Sequence, residues 1–299
     1  MPEPETSGRI IVFGDVIDDV VAVPQIAIRV DTDTPASIRH LAGGSAANTA
    51  AWLGSLGADV DFVGRVGASD LQRHQQLLID AGVRQWLSAD LLLPTGTIVV
   101  IVDGDRRTML TERGANAALD PADVTDQLLA GARLLHLTGY SLFGMPDSSA
   151  VGSLIERARS AGVEVSFDPG SAGFIRDYGP AKFLAAIAGA SIIFPSLDEG
   201  RVLTGLDDPR LIAERLSRSF DLVAVTVGSD GVVLARPGQK PTLIPAVMVP
   251  LVDPTGAGDA FTAGFLDSWV RTGNATTAAL AGVGVAAHAV TVIGGRPSA

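Results

Sequence analysis

The stretch Asp253-Pro254-Thr255-Gly256-Ala257-Gly258-Asp259-Ala260-Phe261 decides how this chain is read, because it joins a glycine-rich turn to the start of an apolar helix. Gly256 and Gly258 let the backbone come close to a ligand. The N–H groups of residues 256–259 then sit at a helix N-terminus, where unsatisfied donors and the helix dipole favour negative charge. Asp259 falls in the first turn, so the same field is expected to keep it ionised. An ionised carboxylate beside a phosphate-binding turn can accept the proton of an attacking hydroxyl. Phosphoryl transfer has a loose transition state, so positioning matters more there than base strength. Taken alone, a GxGD string is also a common helix cap, in which the aspartate and glycines only turn the chain. A dinucleotide loop fits less well, since Phe261 stands where the third glycine of G-x-G-x-x-G belongs, and no GKS or GKT is present for a Walker A loop.

Outward from this segment, helices are expected over 257–272 and 275–290, with strands over 231–236 and 243–248 before them. Upstream, strand-like runs alternate with helical ones: strand Arg133–Leu137, helix Ser148–Ala161, strand Val163–Asp168, helix Pro180–Ala188, strand Ser191–Phe194, helices near 197–217 and strand Leu222–Val227. Such alternation predicts a mostly parallel sheet flanked by helices. The N-terminal part reads as core strand Arg9–Val16, helix from GGSAANTAAWLGSLG, strand ADVDFVG and helix Asp70–Ala81. Two shorter β pairs interrupt it. Ile26–Val30 and Ser37–Leu41 flank a DTDTP turn, and Thr97–Asp103 and Arg107–Thr111 flank DGDR, a hairpin-type turn. No repeat or linker divides the 299 residues, so one domain over 1–299 with a β outgrowth is expected.

Composition narrows the function classes. At 47% hydrophobic and 18% charged, the chain can bury a core without disulfides, and it contains no cysteine for a thiolate or zinc site. A formal charge of −11 repels phosphate backbones and anionic lipid, so neither nucleic acid nor membrane is an expected partner. MPEPETSGRI lacks the basic and apolar regions of a secretory signal, and the Ala/Gly-rich stretch near 275–295 is interrupted by polar residues. A cytoplasmic protein is expected. The four histidines show no metal-ligand spacing; His136 and His288 are expected in the core.

The string at 253–261 resembles the C-terminal motif D-T-x-G-A-G-D-x-F of the ribokinase-like (PfkB) family of carbohydrate kinases. A second segment agrees independently: Gly43-Gly44-Ser45-Ala46-Ala47-Asn48, Ala50 and Leu53-Gly54 resemble the family's G-G-x-x-x-N-x-A-x-x-L/A-G. Shorter echoes fall in order between them, at Gly64-Arg65-Val66-Gly67, Gly114-Ala115-Asn116, Asp168-Pro169, Glu199 and Thr226-Val227-Gly228. The resemblance implies a three-layer α/β/α domain with a mostly parallel central sheet and a small β-sheet lid, formed by segments near 16–41 and 95–112. It implies an ATP-dependent phosphotransferase acting on an alcohol of a sugar-like substrate, with Mg²⁺ and, in some relatives, K⁺, and in many a homodimer made through the lid.

Residue by residue, the resemblance makes Asp259 the catalytic base and Gly256, Ala257 and Gly258 the anion hole. Asp19, at the end of Gly14-Asp15-Val16-Ile17-Asp18-Asp19, is matched to substrate hydroxyls, although Asp15 and Asp18 compete for that role. Gly44 and Asn48 are also matched to substrate. Thr226, Gly228 and Gly231 are matched to the nucleotide turn, although a plain hairpin turn has the same composition. Glu199 is matched to a Mg²⁺-organising glutamate acting through water, and Asp253 and Thr255 to a monovalent-cation loop with Gly294 near its far side. Two departures stand out: Ser196 replaces the asparagine usual in N-x-x-E, and Gly67-Ala68-Ser69-Asp70 replaces G-D-D. Arg106 and Arg107 could reach an acidic substrate or simply tip a solvated hairpin. Lid segments poor in aromatics favour a plain sugar. The rivals are a nucleoside kinase of the adenosine or pseudouridine type, a 2-keto-3-deoxygluconate kinase, and a non-catalytic binding protein on the same fold.

Overall fold

The computed structural model describes residues 8–103, 106–143, 145 and 149–297. The MPEPETS segment, the DGDR turn at Gly104-Asp105, the side chains of Arg106 and Arg107, and the expected helix start at Ser148 lie outside the described residues. The first half runs β1 Arg9–Phe13, β2 Ile17–Pro24, β3 Ala36–Gly43, α1 Ser45–Ser55, β4 Val60–Gly67, α2 Leu71–Asp80, β5 Arg84–Asp90, β6 Gly96–Asp103 and β7 Arg106–Glu112. The middle comprises α3 Asp126–Leu129, β8 Ala132–Thr138, α4 Gly139–Leu142, α5 Ser149–Ser160, β9 Glu164–Asp168, α6 Ala172–Tyr178, α7 Pro180–Ala186 and β10 Ile192–Ile193. The last part is α8 Leu197–Thr204, α9 Pro209–Leu216, β11 Leu222–Thr226, β12 Val232–Ala235, β13 Thr242–Ile244, α10 Ala257–Thr272 and α11 Ala275–Ala289.

The large sheet has the order β13-β12-β11-β10-β9-β8-β1-β4-β5 and is parallel from β11 to β5. β12 and β13 add antiparallel strands at one edge. Apolar residues fill both faces of β1. Ile10 and Val12 pack with α1, α10 and α11, whereas Ile11 and Phe13 pack with α5 to α9. A strand sandwiched this way reads as a continuous apolar run, which is why RIIVF is recognisable as core. The three-layer architecture and mostly parallel sheet are therefore as expected.

A separate four-stranded sheet has the order β3-β2-β6-β7. β2 pairs antiparallel with β3 and parallel with β6, and β6 pairs antiparallel with β7. Here the sequence reading needs correction. The strand partner of β3 is Ile17–Pro24, not Ile26–Val30, and the first core strand ends at Phe13 rather than Val16. Two aspartates inside IDDVVAVP hid the strand, while Ile26, Ile28 and Val30 lie exposed in the connection. Strand β5, RQWLSAD, was not anticipated because its polarity is mixed, nor was α6. The expected strand 243–248 shortens to Thr242–Ile244. His288 is exposed, edge-on to Trp52 at 5.8 Å, rather than core, whereas His136 is fully buried and shares a 2.9 Å hydrogen bond with Ser166.

Candidate active site

The parallel strands end along one edge of the sheet, where ligands bind in open α/β folds. Residues at or just after the ends of β1, β8, β9, β10 and β11 meet the start of α10 and the inner face of the small sheet around a cavity of about 410 Å³. Gly256 begins this helix in the left-handed region at φ 74°, and a Cβ there would sit 2.5 Å from Gly295 Cα. The glycine is thus required by the return of the C-terminal segment. Gly258 is different: its φ is ordinary, and apart from its chain neighbours and its own helix backbone no protein atom lies within 4 Å of where a Cβ would be. Protein packing leaves that space clear beside the helix N-terminus.

Asp259 accepts from Ser45 Oγ at 2.7 Å and from Asn48 Nδ2 at 2.9 Å, so both ends of the chain converge on its carboxylate. Burial, less the pull of these two hydrogen bonds and added to by the charges of Asp15 and Asp19, leaves this carboxyl pushed up to about 7. The expectation that the helix field keeps it firmly ionised is therefore corrected. Loss of solvent and the neighbouring carboxylates raise it toward neutrality despite its place in the first turn of α10. A base so poised is well matched to proton transfer at that pH.

The three aspartates after β1 have separate fates. Asp15 accepts from the Ser45 and Ala46 backbone N–H groups at 2.8 and 3.2 Å and from Thr138 Oγ1 at 3.1 Å, which caps α1. Asp18 takes both arms of Arg73, at 2.9 and 2.5 Å, with His74 Nε2 3.4 Å away. Although burial works the other way, the two hydrogen bonds from Arg73 and the nearby His74 ring hold its carboxyl well below the usual range. The departure at 67–73 thus has a structural use: Arg73 holds Asp18, and Asp70 accepts from Thr95 Oγ1 at 2.8 Å at the root of β6. Asp19 lines the cavity, and among the described residues its carboxylate receives no protein hydrogen bond. Burial pushes it up to about 6, against the pull of Arg296.

Gly44 at φ 94° starts α1, and a Cβ there would meet Asp15 O at 2.5 Å; one on Gly43 would meet Asp19 Oδ2 at 2.2 Å. The glycine pair therefore brings α1 against the acidic turn. Asn48 uses its amide N on Asp259 and its amide O to accept from Arg296 Nε at 3.2 Å. Its geometry is that of a group orienting Asp259, in addition to lining the cavity. Arg296, which the sequence reading missed, also donates to Gly43 O at 2.8 Å; burial lowers its guanidinium to about 10. An arginine directly after Gly294-Gly295 in so acidic a chain was the available signal.

Ser196 and Glu199 form a reciprocal cap on α8: Ser196 N donates to Glu199 Oε2 at 2.8 Å and Glu199 N to Ser196 Oγ at 3.4 Å. Serine in place of asparagine is thus explained by capping. Glu199 is buried on the cavity wall, and burial raises its carboxyl. Asp168, quoted only as a motif echo, lines the same cavity, where burial and the charges of Glu199 and Asp259 raise it well above a normal aspartate. Asp253 Oδ1 accepts from Thr255 N and Oγ1, at 2.9 and 2.7 Å, and Oδ2 from Gly294 N at 3.0 Å, so this loop is tied to the C-terminal segment. Among the described residues no three His, Cys, Asp or Glu side chains cluster to hold a metal.

Thr226 lines the cavity, bridged in parallel to Ser196. Gly228, at φ 59°, faces open space. Gly231, at φ 109°, makes room for Ile244 O, which a Cβ would meet at 2.1 Å, so its glycine serves the chain itself. Ile98, Val100 and Met109 of the small sheet also line the cavity, with Ile98 paired beside Asp19, as do Tyr140, Phe174 and Arg113.

A doubly wound sheet whose strand ends, glycine turn and buried carboxylate surround one cavity defines an α/β enzyme of the ribokinase-like type. The chain belongs to the pfkB family of carbohydrate kinases, whose model matches residues 7–299. It is 36% identical to an ATP-dependent ribose-1-phosphate kinase of Halopiger xanaduensis, over 83% of this chain and 82% of that one. It is 32% identical to a fructokinase of Klebsiella pneumoniae, over 87% and 84%. A solved adenosine kinase of Sinorhizobium meliloti superposes with a TM-score of 0.87 at 25% identity, over 98% and 97%. The chain is accordingly a sugar kinase of this family, a phosphotransferase. No described helix is long and apolar enough to cross a membrane.

Proposed function

We propose that the chain transfers the terminal phosphoryl group of ATP to a hydroxyl of a sugar or sugar-like acceptor, with Asp259 as base. The observation that carries this is the carboxylate of Asp259, held by Ser45 and Asn48 and titrating near 7, beside the clear space at Gly258. In the reaction Asp259 accepts the hydroxyl proton as the new O–P bond forms and the bond to the ADP oxygen breaks. Backbone N–H groups of Gly256, Ala257 and Gly258 stabilise the charge on the transferring group. Asp19, with no protein donor of its own, receives acceptor hydroxyls, aided by Gly44 and Asn48. Thr226, Gly228 and Gly231 flank the nucleotide.

Mg²⁺ accompanies ATP and neutralises phosphate charge when bound. Glu199 would hold it through water, and hard carboxylate oxygen is the right chemistry for it. Asp253 and Thr255 belong to a loop that would take a monovalent cation such as K⁺. Residues 1–299 act as one kinase unit, and segments 16–41 and 95–112 form a lid that excludes water from the reaction. Ile38 and Leu110 are 59% and 58% exposed on the small-sheet face turned away from the cavity, which supports a homodimer through that face. The ribose-1-phosphate kinase and fructokinase relatives favour a pentose or hexose acceptor. A nucleoside is the second reading: the aromatics absent from the lid are supplied by Tyr140 and Phe174, which line the cavity. Ser196, the one feature favouring a non-catalytic protein, is accounted for by the cap on α8.

The test is coupled ADP release with Mg·ATP across ribose, fructose, 2-keto-3-deoxygluconate, adenosine and pseudouridine, with Asp259→Asn alongside. A substrate-dependent rate that falls by about 10³ in the variant is expected for loss of a general base. A variant as fast as the wild type would remove Asp259 from the mechanism.

A further inference from the structure

The cavity is lined by five carboxylates, Asp15, Asp19, Asp168, Glu199 and Asp259, and by one basic residue among the described residues, Arg113. Arg113 stands where the chain leaves β7, and its backbone is fixed from both sides. Asn116 Nδ2 donates to Arg113 O at 3.2 Å and to Val16 O at 2.7 Å, which ties this corner to the turn after β1. The next residue, Gly114, adopts φ 50° with Pro94 O 2.3 Å from where a Cβ would be, so the strand exit has little freedom.

The guanidinium is only partly satisfied. Nη2 donates to Tyr140 O at 2.6 Å, whereas Nε is buried without a hydrogen-bond partner, and Arg113 makes no ion pair among the described residues. Most cavity carboxylates are otherwise engaged: Asp15 caps α1, Asp168 accepts from Gly170 N, Glu199 closes the cap of α8 and Asp259 is held by Ser45 and Asn48. Asp19 is drawn toward Arg296. Burial lowers the Arg113 guanidinium, and the charge of Asp15 only partly offsets this without forming an ion pair; a half-buried cation so compensated is costly unless something else pairs with it. Arginine's planar fork suits phosphate and carboxylate, which it can bind through two parallel hydrogen bonds.

We infer that Arg113 receives an anionic substituent of the acceptor, so that the preferred substrate is a phosphate- or carboxylate-bearing sugar rather than a neutral sugar or nucleoside. This rests on the kinase reading of the same cavity. The anion lies on the Arg113 wall, the acceptor hydroxyl lies at Asp259, and Asp19 takes the ring hydroxyls between them. Without Arg113 the acidic walls would repel such a substrate.

The experiment measures kcat/KM with Mg·ATP for ribose, ribose 1-phosphate, ribose 5-phosphate, fructose and 2-keto-3-deoxygluconate, in wild type, Arg113→Lys and Arg113→Gln. The wild type is expected to prefer an anionic sugar to its neutral counterpart by at least about tenfold, the scale of one charge-assisted contact. Preference for a sugar phosphate or for the keto acid says which anion it is. Arg113→Gln should collapse that ratio toward one, chiefly through KM, and Arg113→Lys should recover part of it, since charge returns without the fork. A wild type that favours neutral sugars, or a Gln variant that loses both substrate types equally, overturns the inference. Should no sugar support ADP release, the kinase reading fails separately. Titration of ribose 5-phosphate without ATP then decides: binding lost in Arg113→Gln upholds the anion site, and binding equal in both, or absent, overturns it. If Arg113→Gln does not fold, the wild-type ratio and the Lys variant carry the test.

Discussion

Two regions of this molecule face the same cavity but were specified in different ways. The turn at 253–261 is built by local rules: glycines where a helix begins, and an acid in its first turn. The small sheet is built by pairing across distance, with β2 set between β3 and β6. Local chemistry announces the first. The second contains charged residues mid-strand and exposed aliphatics in a loop, so local pattern pointed to the wrong strand. Even within the turn the two glycines differ, since Gly256 yields to Gly295 while Gly258 yields to nothing outside its own helix turn.

The sharpest way to break this comparison is to add one methyl group at each glycine. Gly258→Ala should fold with a wild-type melting temperature yet lower kcat by about 10², the scale of a damaged anion hole. Gly256→Ala should lose stability as well, because its φ of 74° and the Gly295 backbone both resist a side chain. Thermal denaturation beside steady-state kinetics separates them; equal melting temperatures would mean that the two glycines serve the same purpose.

A smaller effect is expected from pH. Asp259 acts as a base only when ionised, so activity should be full above its pKa and be lost as pH falls through about 7. Asn48→Ala removes a donor that favours the ionised form. Its acid limb should move to higher pH, with a several-fold loss of rate at pH 7 that is recovered in alkaline buffer. A pH–rate profile unmoved by this change would make Asn48 a substrate contact only.

The smallest effect belongs to the outer face of the small sheet. Ile38→Lys and Leu110→Lys should alter monomer stability by no more than about 0.5 kcal/mol, as for other exposed positions. Analytical ultracentrifugation should nevertheless show a shift from dimer to monomer. A wild type that sediments as a monomer would remove the proposed interface.

Much of the site was legible because its motifs are contiguous: Gly44, Asn48, Gly256 to Asp259, Glu199 and Thr226 all line or adjoin one cavity. What was not legible depended on partners far away in sequence. Asp15, Asp18 and Asp19 are chemically alike, and only the N-terminus of α1, the fork of Arg73 and the open cavity tell them apart. Arg296 and Arg113 gave no motif, since their importance comes from what they are buried against. The Asp259 pKa was misjudged for the same reason, because a helix start is local whereas desolvation is not.

By itself the sequence determined the alternating strands and helices, the two-sided core of β1, the phosphate-ready turn and the family resemblance, because each follows from residues near one another in the chain. Tertiary structure alone decided which aspartate is left facing the cavity, how Ser45 and Asn48 hold Asp259, where Arg113 stands on the cavity wall and which strand completes the small sheet. Those outcomes depend on burial and charge summed over many segments, and neither quantity exists until the chain has folded.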